Sequence, residues 1–266
     1  MMNLTPPSIL LSFDVEEFDL PTEYHQSIEL EEQLAVGYKG VQAIAPILQQ
    51  HQVACTLFTT AQYATHFPSQ IRELAIPHEI ASHTCYHSTF EKEHLLQSRL
   101  QLEEISGKPV TGLRMPRMKK VEMSEVKKAG YRYDSSINPT YIPGRYNNFH
   151  LPRTFYSEEG VIRIPTSVTP HFRIPLFWLA FKNFPYPLFK QLALQTLRKD
   201  GYLCLYFHPW EFVNIRQYKL PGYLTSKCGE PLQQRLNQLI YDLKKEAQFT
   251  TMESFIQQNE PVVTVN

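Results

Sequence analysis

Residues 77–87 read PHEIASHTCYH, and more of the architecture follows from them than from any other segment. The first half is a short strand-like run that ends at Ser82, so His83 is predicted at the carboxyl end of a strand. His87 follows four residues later, and on a helical turn that spacing puts both imidazoles on one face, where they can reach one cation. Barrel enzymes keep their chemistry at such strand ends.

Two other apolar runs end in polar residues of the same kind. The first begins at Ile9 and ends at Asp14, and the second begins at Leu205 and ends at His208. Asp14 and Glu16 are two residues apart, so in an extended strand their side chains point to the same face. One carboxylate can then bind a metal while the other acts on water, which indicates a metal-assisted hydrolase. Without these neighbours, the histidine pair would more often be a solvated or packed pair.

Strand and helix signals alternate along the whole chain, which favours an α/β barrel. The predicted strands cover residues 9–14, 53–58, 77–82, 110–115, 131–134, 161–165 and 202–208. The predicted helices cover residues 41–48, 62–74, 88–105, 121–129, 187–199 and 232–245, the third opened by an S-x-x-E capping box at 88–91. An irregular insertion is predicted at residues 137–160, within a single catalytic domain over residues 1–266.

Composition excludes several classes of protein. The 266 residues are 42% apolar, which suffices for the core of one barrel-sized domain. Basic and acidic residues number 26 each, so the formal net charge is zero and no nucleic-acid partner is expected. The sequence lacks the long apolar run of a transmembrane helix. The four cysteines have no metal or disulfide spacing and the first residues lack a signal-peptide pattern, so we expect a reducing, cytoplasmic location.

Residues 174–188 are rich in Phe, Trp and Leu but contain three prolines and Lys182. Two interpretations stay open. The segment either packs as core and lid, which we favour, or presents an apolar surface to a lipid-linked substrate or a second subunit, which would allow a homo-oligomer.

Five segments, taken in order, resemble the motifs of the polysaccharide deacetylases, the NodB-homology proteins of carbohydrate esterase family 4. They are Ser12–Asp14 with the nearby acids, His78–His87, Gly112–Pro116, Tyr133–Ser135 and Leu205–His208, and the match covers residues 9–210. The second motif is the specific one. The resemblance implies a distorted (β/α)7 barrel and a hydrolase of carbon–nitrogen bonds that removes acetyl from an N-acetylated sugar with a divalent metal, often zinc.

The resemblance also implies which residues bind the metal and activate water. Asp14 matches the general base, and the histidine pair matches two metal ligands. The family's first motif has two adjacent aspartates, whereas Val15 follows Asp14 here. Glu16 is the preferred third ligand because it shares the face of Asp14, with Glu17 as the alternative. This departure matters because some relatives that lack the aspartate ligand dispense with the metal, and one such branch resembles metal-free hydrolases of cyclic ureides such as allantoin.

Two further roles complete the set that the resemblance implies. Arg114 matches the arginine that pairs with the base and keeps it ionised. His208 matches the general acid, which would give a proton to the leaving sugar nitrogen with support from Asp134.

Substrate contacts are predicted in the insertion and beside the acid. Tyr141 and Arg145, with Arg153, combine aromatic rings and guanidinium groups, which suit a sugar that carries phosphate or carboxylate. The alternative is a surface loop with solvated arginines. Trp210 either walls the acetyl pocket or packs in the core.

Three hypotheses of function follow from these residues. The first is a metal-dependent sugar N-deacetylase acting on cell-envelope or surface glycans. The second is a metal-independent amidohydrolase of a small cyclic amide or ureide. The third is a non-catalytic glycan-binding relative, which the presence of base, ligand and acid candidates disfavours.

Overall fold

The fold is a curled, mainly parallel sheet with helices on its outer face. A computed structural model describes residues 7–263, with side chains described for residues 7–259. The strands are β1 (Ser8–Val15), β2 (Thr56–Thr59), β3 (Glu79–Ser82), β4 (Gly112–Leu113), β5 (Tyr133–Asp134), β6 (Tyr141–Ile142), β7 (Tyr146–Asn147), β8 (Tyr156–Glu158), β9 (Val161–Arg163), β10 (Tyr202–Phe207) and β11 (Gln248–Phe249). The helices are α1 (Leu30–His51), α2 (Ala61–His66), α3 (Pro68–Leu74), α4 (Glu93–Ser106), α5 (Met123–Lys128), α6 (Trp178–Asn183), α7 (Tyr186–Asp200), α8 (Gly222–Thr225), α9 (Glu230–Leu243) and α10 (Met252–Val263).

The strand order confirms the predicted barrel. Along the sheet the order is β10, β1, β2, β3, β4, β5, β9, β8, and β11 pairs with the start of β1. Every neighbouring pair from β10 to β9 is parallel, whereas β8 is an antiparallel edge on β9. These seven parallel strands are the seven that the sequence predicts, and together they form the distorted (β/α)7 barrel.

The barrel closes imperfectly between β9 and β10. Within the described residues these strands share no ladder. Instead, Ser167 donates its backbone N–H to the Cys204 carbonyl at 2.9 Å, and its Oγ accepts the Cys204 N–H at 2.9 Å. The ring is therefore completed by single hydrogen bonds around one serine.

Alternation along β1 decides which of its side chains reach the barrel interior. All eight residues of β1 are buried, as expected for a strand covered on both faces. Phe13 and its odd-numbered neighbours pack in the cluster formed with the helices, whereas Leu10 packs in the interior cluster with Phe58 and Met252. Asp14 has the same parity as Leu10 and therefore points into the barrel, at the carboxyl end of the strand.

Two helix predictions are wrong at their ends. The predicted helix over 62–74 is divided into α2 and α3, because Pro68 lacks an N–H to continue a helix and favours a first helical position. The predicted capping box at Ser88 does not form, since α4 begins only at Glu93. There the Glu91 N–H donates to His94 Nδ1 at 3.2 Å.

The C-terminal β11 and α10 were not predicted, and they cover the amino-terminal end of the barrel. In α10 the Met252 N–H donates to Thr56 Oγ1 at 3.0 Å and the Glu253 N–H donates to Glu79 Oε2 at 3.2 Å. The buried Glu79 also accepts a 2.7 Å hydrogen bond from the Tyr133 hydroxyl. This end of the barrel is closed, so the functional site lies at the opposite end.

The segment at 174–188 packs as core and lid, since Leu176 and Phe181 are fully buried. The insertion at 137–160 is irregular apart from the β6–β7 hairpin and β8. No helix among the described residues has the length and apolar character needed to span a membrane. All four cysteines are buried and free. The prediction about a leader falls on residues 1–6, which lie outside the described residues.

Candidate active site

Three side chains converge at the carboxyl end of the barrel. Glu16 Oε2 lies 3.1 Å from His83 Nε2 and 3.2 Å from His87 Nε2. The histidines do not lie on a helical turn, which corrects the sequence interpretation: α4 starts after them, and Thr84 has a positive φ of 62°. The turn at Thr84 brings the two imidazoles into a stacked arrangement with ring centroids 5.7 Å apart.

Each of these side chains is oriented by a second hydrogen bond. His83 Nδ1 lies 2.7 Å from the Arg114 carbonyl, and His87 Nδ1 lies 2.7 Å from Asp19 Oδ1, so both Nδ1 atoms are donors. Trp210 donates Nε1–H to Glu16 Oε1 at 3.0 Å. The two Nε2 lone pairs are thereby left free to bind a metal, as is usual for histidine ligands held by carbonyl or carboxylate partners.

The three atoms fit a divalent cation. Glu16 Oε2 is buried without a hydrogen-bond donor, and it faces two nitrogens that are acceptors when the histidines are neutral. All three ligand atoms lie within 4.8 Å of one another. Mutual repulsion of three acceptors is relieved by a cation or by a proton on His87. Two histidines and one glutamate form a donor set known from catalytic zinc sites.

Electrostatics favours a charged site. Burial alone would raise the pKa of the Glu16 carboxyl, but His87 and His83 beside it hold that pKa well below its usual range. Burial opposes protonation of His87, yet the Glu16 and Asp19 carboxylates outweigh it and raise the pKa of His87 to about 9. Glu17, the alternative ligand, is not part of this converging group, and its Oε2 accepts from Thr60 Oγ1 at 2.7 Å.

The base candidate Asp14 is held by a buried arginine, as the resemblance implied. Arg114 is fully buried and donates Nη1–H to Asp14 Oδ1 at 2.7 Å and to Ser12 Oγ at 2.9 Å. It also donates to Ser135 and lies over the Phe58 ring, 4.1 Å from its centroid. Arg114 balances the buried carboxylate charge and fixes one oxygen, so that Oδ2 faces the cavity.

The acid candidate His208 stands across the cavity from the base. His208 Nε2 is 3.9 Å from Asp14 Oδ2, and its Nδ1 is 3.2 Å from Glu211 Oε1. Its ring stacks on Trp210 with centroids 4.8 Å apart. Burial alone would lower the pKa of His208, but Glu211 and the carboxylates of Glu16 and Asp14 raise it.

The predicted support of His208 by Asp134 is wrong. Asp134 accepts instead from Arg163 Nε at 3.0 Å and from the Ser136 N–H at 3.0 Å. It ends β5, which is not a neighbour of β10 in the sheet. Glu211 takes the place beside His208 because a 3-10 turn, Pro209–Phe212, brings it back onto the histidine. The spacing of three residues, with Pro209 at the start of the turn, is the sequence signal for this contact.

A cavity of about 270 Å³ contains these groups. Besides the ligand, base and acid candidates, the cavity is lined by several aromatic side chains and by residues of the insertion, among them Tyr146, Phe177, Trp178, Tyr206, Trp210, Ile142 and Arg145. Trp210 therefore serves both interpretations, since it is buried and also lines the cavity. Of the predicted substrate residues, Arg145 lines the cavity, whereas Tyr141 is 57% exposed and not among the lining residues. Arg153 is bound to Asp200 and is likewise not among the lining residues.

Sequence reasoning missed a network that joins the candidate metal site to the insertion. Asp19 uses Oδ1 for His87 and Oδ2 for Arg117 Nη2 at 2.8 Å. Arg117 also donates Nε–H to Glu23 at 2.7 Å, and Arg145 Nη2 lies 3.3 Å from the other Glu23 oxygen. These residues are distant in sequence, so no local spacing pattern predicts the network.

The sequence model described as polysaccharide deacetylase matches residues 3–133, a span that contains Asp14, Glu16, both histidines and Arg114. This chain belongs to the polysaccharide deacetylase family. It is therefore a deacetylase-type hydrolase that acts on carbon–nitrogen bonds. A search of curated protein sequences found no match to this chain.

Three of the solved structures similar to this chain are described with different functions. A Mycobacterium smegmatis protein described as a polysaccharide deacetylase is 18% identical, with a TM-score of 0.64, and the match covers 97% of this chain and 91% of that one. The allantoinase PuuE is 15% identical, with a TM-score of 0.65 and coverage of 98% and 92%. The Bacillus anthracis protein BA3943, a pseudoenzyme of carbohydrate esterase family 4, is 11% identical, with a TM-score of 0.53 and coverage of 95% and 66%. Identities this low support the fold alone.

Proposed function

We propose that this chain is a metal-dependent hydrolase that removes acetyl from an N-acetylated sugar. The observation that carries the proposal is one cavity in which the Glu16, His83 and His87 ligand atoms converge beside an Asp14 and His208 pair 3.9 Å apart. Amide hydrolysis needs a proton acceptor for water and a proton donor for the leaving nitrogen. Both line the same cavity as the ligand set.

Different residues of the site bind the metal, accept the proton of water and protonate the leaving nitrogen. A divalent cation held by the ligand set would lower the pKa of water and polarise the acyl carbonyl. Asp14 takes the proton of the attacking water through Oδ2, while Arg114 keeps Oδ1 fixed. His208 gives the Nε2 proton to the sugar nitrogen as the carbon–nitrogen bond breaks. Glu211 holds His208 Nδ1–H, so that Nε2 is the atom that releases and regains the proton.

Aromatic walls support a sugar as the substrate. Phe177, Trp178 and Tyr206 line the cavity beside the catalytic groups, and flat aromatic faces suit the apolar face of a pyranose ring. Arg145 at the mouth suits a phosphate or carboxylate on the same glycan. We propose a cell-envelope or surface glycan, or its precursor, on this basis. A cytoplasmic location is supported by the four free, buried cysteines.

A second candidate is a metal-independent amidohydrolase of a cyclic ureide. It is favoured by Val15, which stands where the second of the family's two adjacent aspartates is usual, and by the fold shared with an allantoinase. Protonated His87 with Glu16 would then form a buried ion pair, which needs no metal. A non-catalytic glycan-binding role, as for the pseudoenzyme of the same fold, predicts no turnover on either substrate.

Acetate release from N-acetylated oligosaccharides, measured before and after chelation, separates these candidates. The proposal expects acetate release, its loss on metal removal and its recovery with Zn²⁺ at about one ion per chain. Ring opening of allantoin by chelated protein, without acetate release, would favour the second candidate. Asp14→Asn is the matched control, since it keeps the ligand set and removes the proton acceptor.

A further inference from the structure

A buried lysine lies behind the acid candidate. Lys182 on α6 is fully buried, and its Nζ is 3.0 Å from Glu211 Oε2 and donates to the Leu224 carbonyl at 2.8 Å. The ammonium also lies 5.3 Å from the centroid of the Trp178 ring. A buried ammonium is costly unless it is paired, and here its charged partner is the carboxylate that supports His208.

Glu211 thus joins two positive groups through its two oxygens. Oε1 accepts the His208 N–H at 2.9 Å and lies 3.2 Å from His208 Nδ1, whereas Oε2 faces Lys182. The side chains of Lys182 and Glu211 are both wholly inaccessible to solvent. Water therefore cannot stabilise a charge that loses its partner here.

The charge balance changes when His208 acts as an acid. With His208 protonated, the buried carboxylate of Glu211 faces two cations. After the proton leaves Nε2, the histidine is neutral, and Lys182 is the cation that remains beside Glu211. Without Lys182, the same step would leave a buried carboxylate with no counter-ion, which opposes release of the proton.

We propose that Lys182 is a positioning residue that allows His208 to release its proton, by balancing the charge of Glu211 once His208 is neutral. This rests on the proposed acid role of His208. In that step the proton passes from Nε2 to the leaving nitrogen, which takes the electron pair of the broken carbon–nitrogen bond. Lys182 itself transfers no proton and does not touch the substrate.

The other groups around His208 do not replace Lys182. From β1, Asp14 is 3.9 Å from Nε2 but is neutralised by Arg114. Glu16, which follows β1, belongs to the metal ligand set. Tyr206 on β10 presents its ring to the histidine, with centroids 5.9 Å apart, and carries no charge.

The test is the pKa of His208, measured by nitrogen-15 NMR on the Zn²⁺-loaded protein and assigned with His208→Gln. Lys182→Gln keeps a hydrogen-bond donor for Glu211 and removes the charge. The proposal expects the His208 pKa to rise by about one unit, a tenfold gain in proton affinity. The alkaline limb of the kcat profile on an N-acetylated sugar moves to higher pH in the same variant. The NMR result needs no substrate, so it stands apart from failure of the proposed activity.

A second variant separates charge balance from a structural role. Lys182→Met combined with Glu211→Gln removes both charges, leaves no buried ion unpaired, and is expected to lower the His208 pKa below that of the wild type. A merely structural lysine predicts an unchanged His208 pKa in Lys182→Gln, together with lower thermal stability. That result, or a lowered pKa in Lys182→Gln, would overturn the proposal.

Discussion

Replacing Asp19 with asparagine should weaken zinc binding although Asp19 is not a ligand. Its two oxygens serve different partners, because Oδ1 accepts from His87 Nδ1 at 2.7 Å and Oδ2 accepts from Arg117 at 2.8 Å. In Asp19→Asn the amide oxygen can accept from one of them only, and the NH2 group then faces a donor. His87 consequently loses either its charged acceptor or its fixed orientation.

The size of the effect follows from these contacts. A hydrogen bond to a charged group contributes roughly 1.5–3 kcal/mol. Loss of a partner that orients a metal-bound histidine typically costs about 10- to 100-fold in metal affinity, or about 1.4–2.7 kcal/mol. The two ranges agree, so we expect the zinc Kd to rise by about 10- to 100-fold.

Competition titration with a chromophoric chelator measures this change. The measurement is best made above pH 9, because the Glu16 and Asp19 carboxylates raise the pKa of His87 to about 9 and a proton on His87 would otherwise mask part of the loss. Glu23→Gln is the matched control, since it breaks the Arg117–Glu23 pair, with side chains 33% and 27% exposed, and leaves the His87 contact intact. A partly exposed pair contributes about 0–1 kcal/mol, so the control should change Kd less than about fivefold. Equal Kd values for Asp19→Asn and the wild type would refute the reasoning.

Three further predictions concern pH, the base and the insertion. Zinc affinity should fall about tenfold per pH unit below pH 9, because zinc and a proton compete for Nε2 of His87, whose pKa is raised to about 9 in the metal-free protein. Zinc titrations from pH 6 to 10 measure this dependence. A zinc affinity that does not change with pH would exclude proton competition. Asp14→Asn should lower kcat by about 10²- to 10⁴-fold with unchanged zinc content, and kcat within twofold of the wild type would remove Asp14 as the base. Arg145→Gln should raise KM for a phosphate-bearing sugar and leave KM for a neutral N-acetyl oligosaccharide unchanged. Tyr141 is exposed, so Tyr141→Ala should change neither KM value. An equal rise in KM for both substrates in Arg145→Gln would indicate a structural role for Arg145.

The strand ends were predictable because their signal is local. The apolar runs before Asp14 and His208 form β1 and β10, whose partners on both faces keep them fully buried. Alternation along β1 then fixes the direction of Asp14. The histidine pair was correctly placed at a strand end, but its helical turn was wrong, because spacing alone does not reveal the positive φ of Thr84.

The contacts that orient the site were less predictable. The role given to Asp134 depended on a family motif, whereas Glu211 reaches His208 through a turn that can be read from Pro209. Asp19 and Arg117 meet across 98 positions of sequence, so only the assembled barrel brings them together. Lys182 appears in sequence as an interruption of an apolar segment, and its pairing with Glu211 depends on how α6 packs against the turn after β10.

The serine joint between β9 and β10 has a mechanical consequence. Glu16, His83 and His87 all follow strands on the continuous side of the ring, β1 and β3. His208 follows β10, on one side of the joint, and the insertion that carries Arg145 leads into β8 and β9, on the other. Besides the hydrogen bonds of Ser167, the Arg153–Asp200 ion pair and the hydrogen bond from the Phe155 N–H to the Tyr202 hydroxyl at 2.9 Å tie the insertion to this side of the ring. A change in the spacing of β9 and β10 would therefore alter these contacts before it altered the ligand atoms that follow β1 and β3. If the chain acts on glycans as proposed, Ser167→Ala is expected to change the size range of the glycans that are hydrolysed and to leave zinc affinity unchanged.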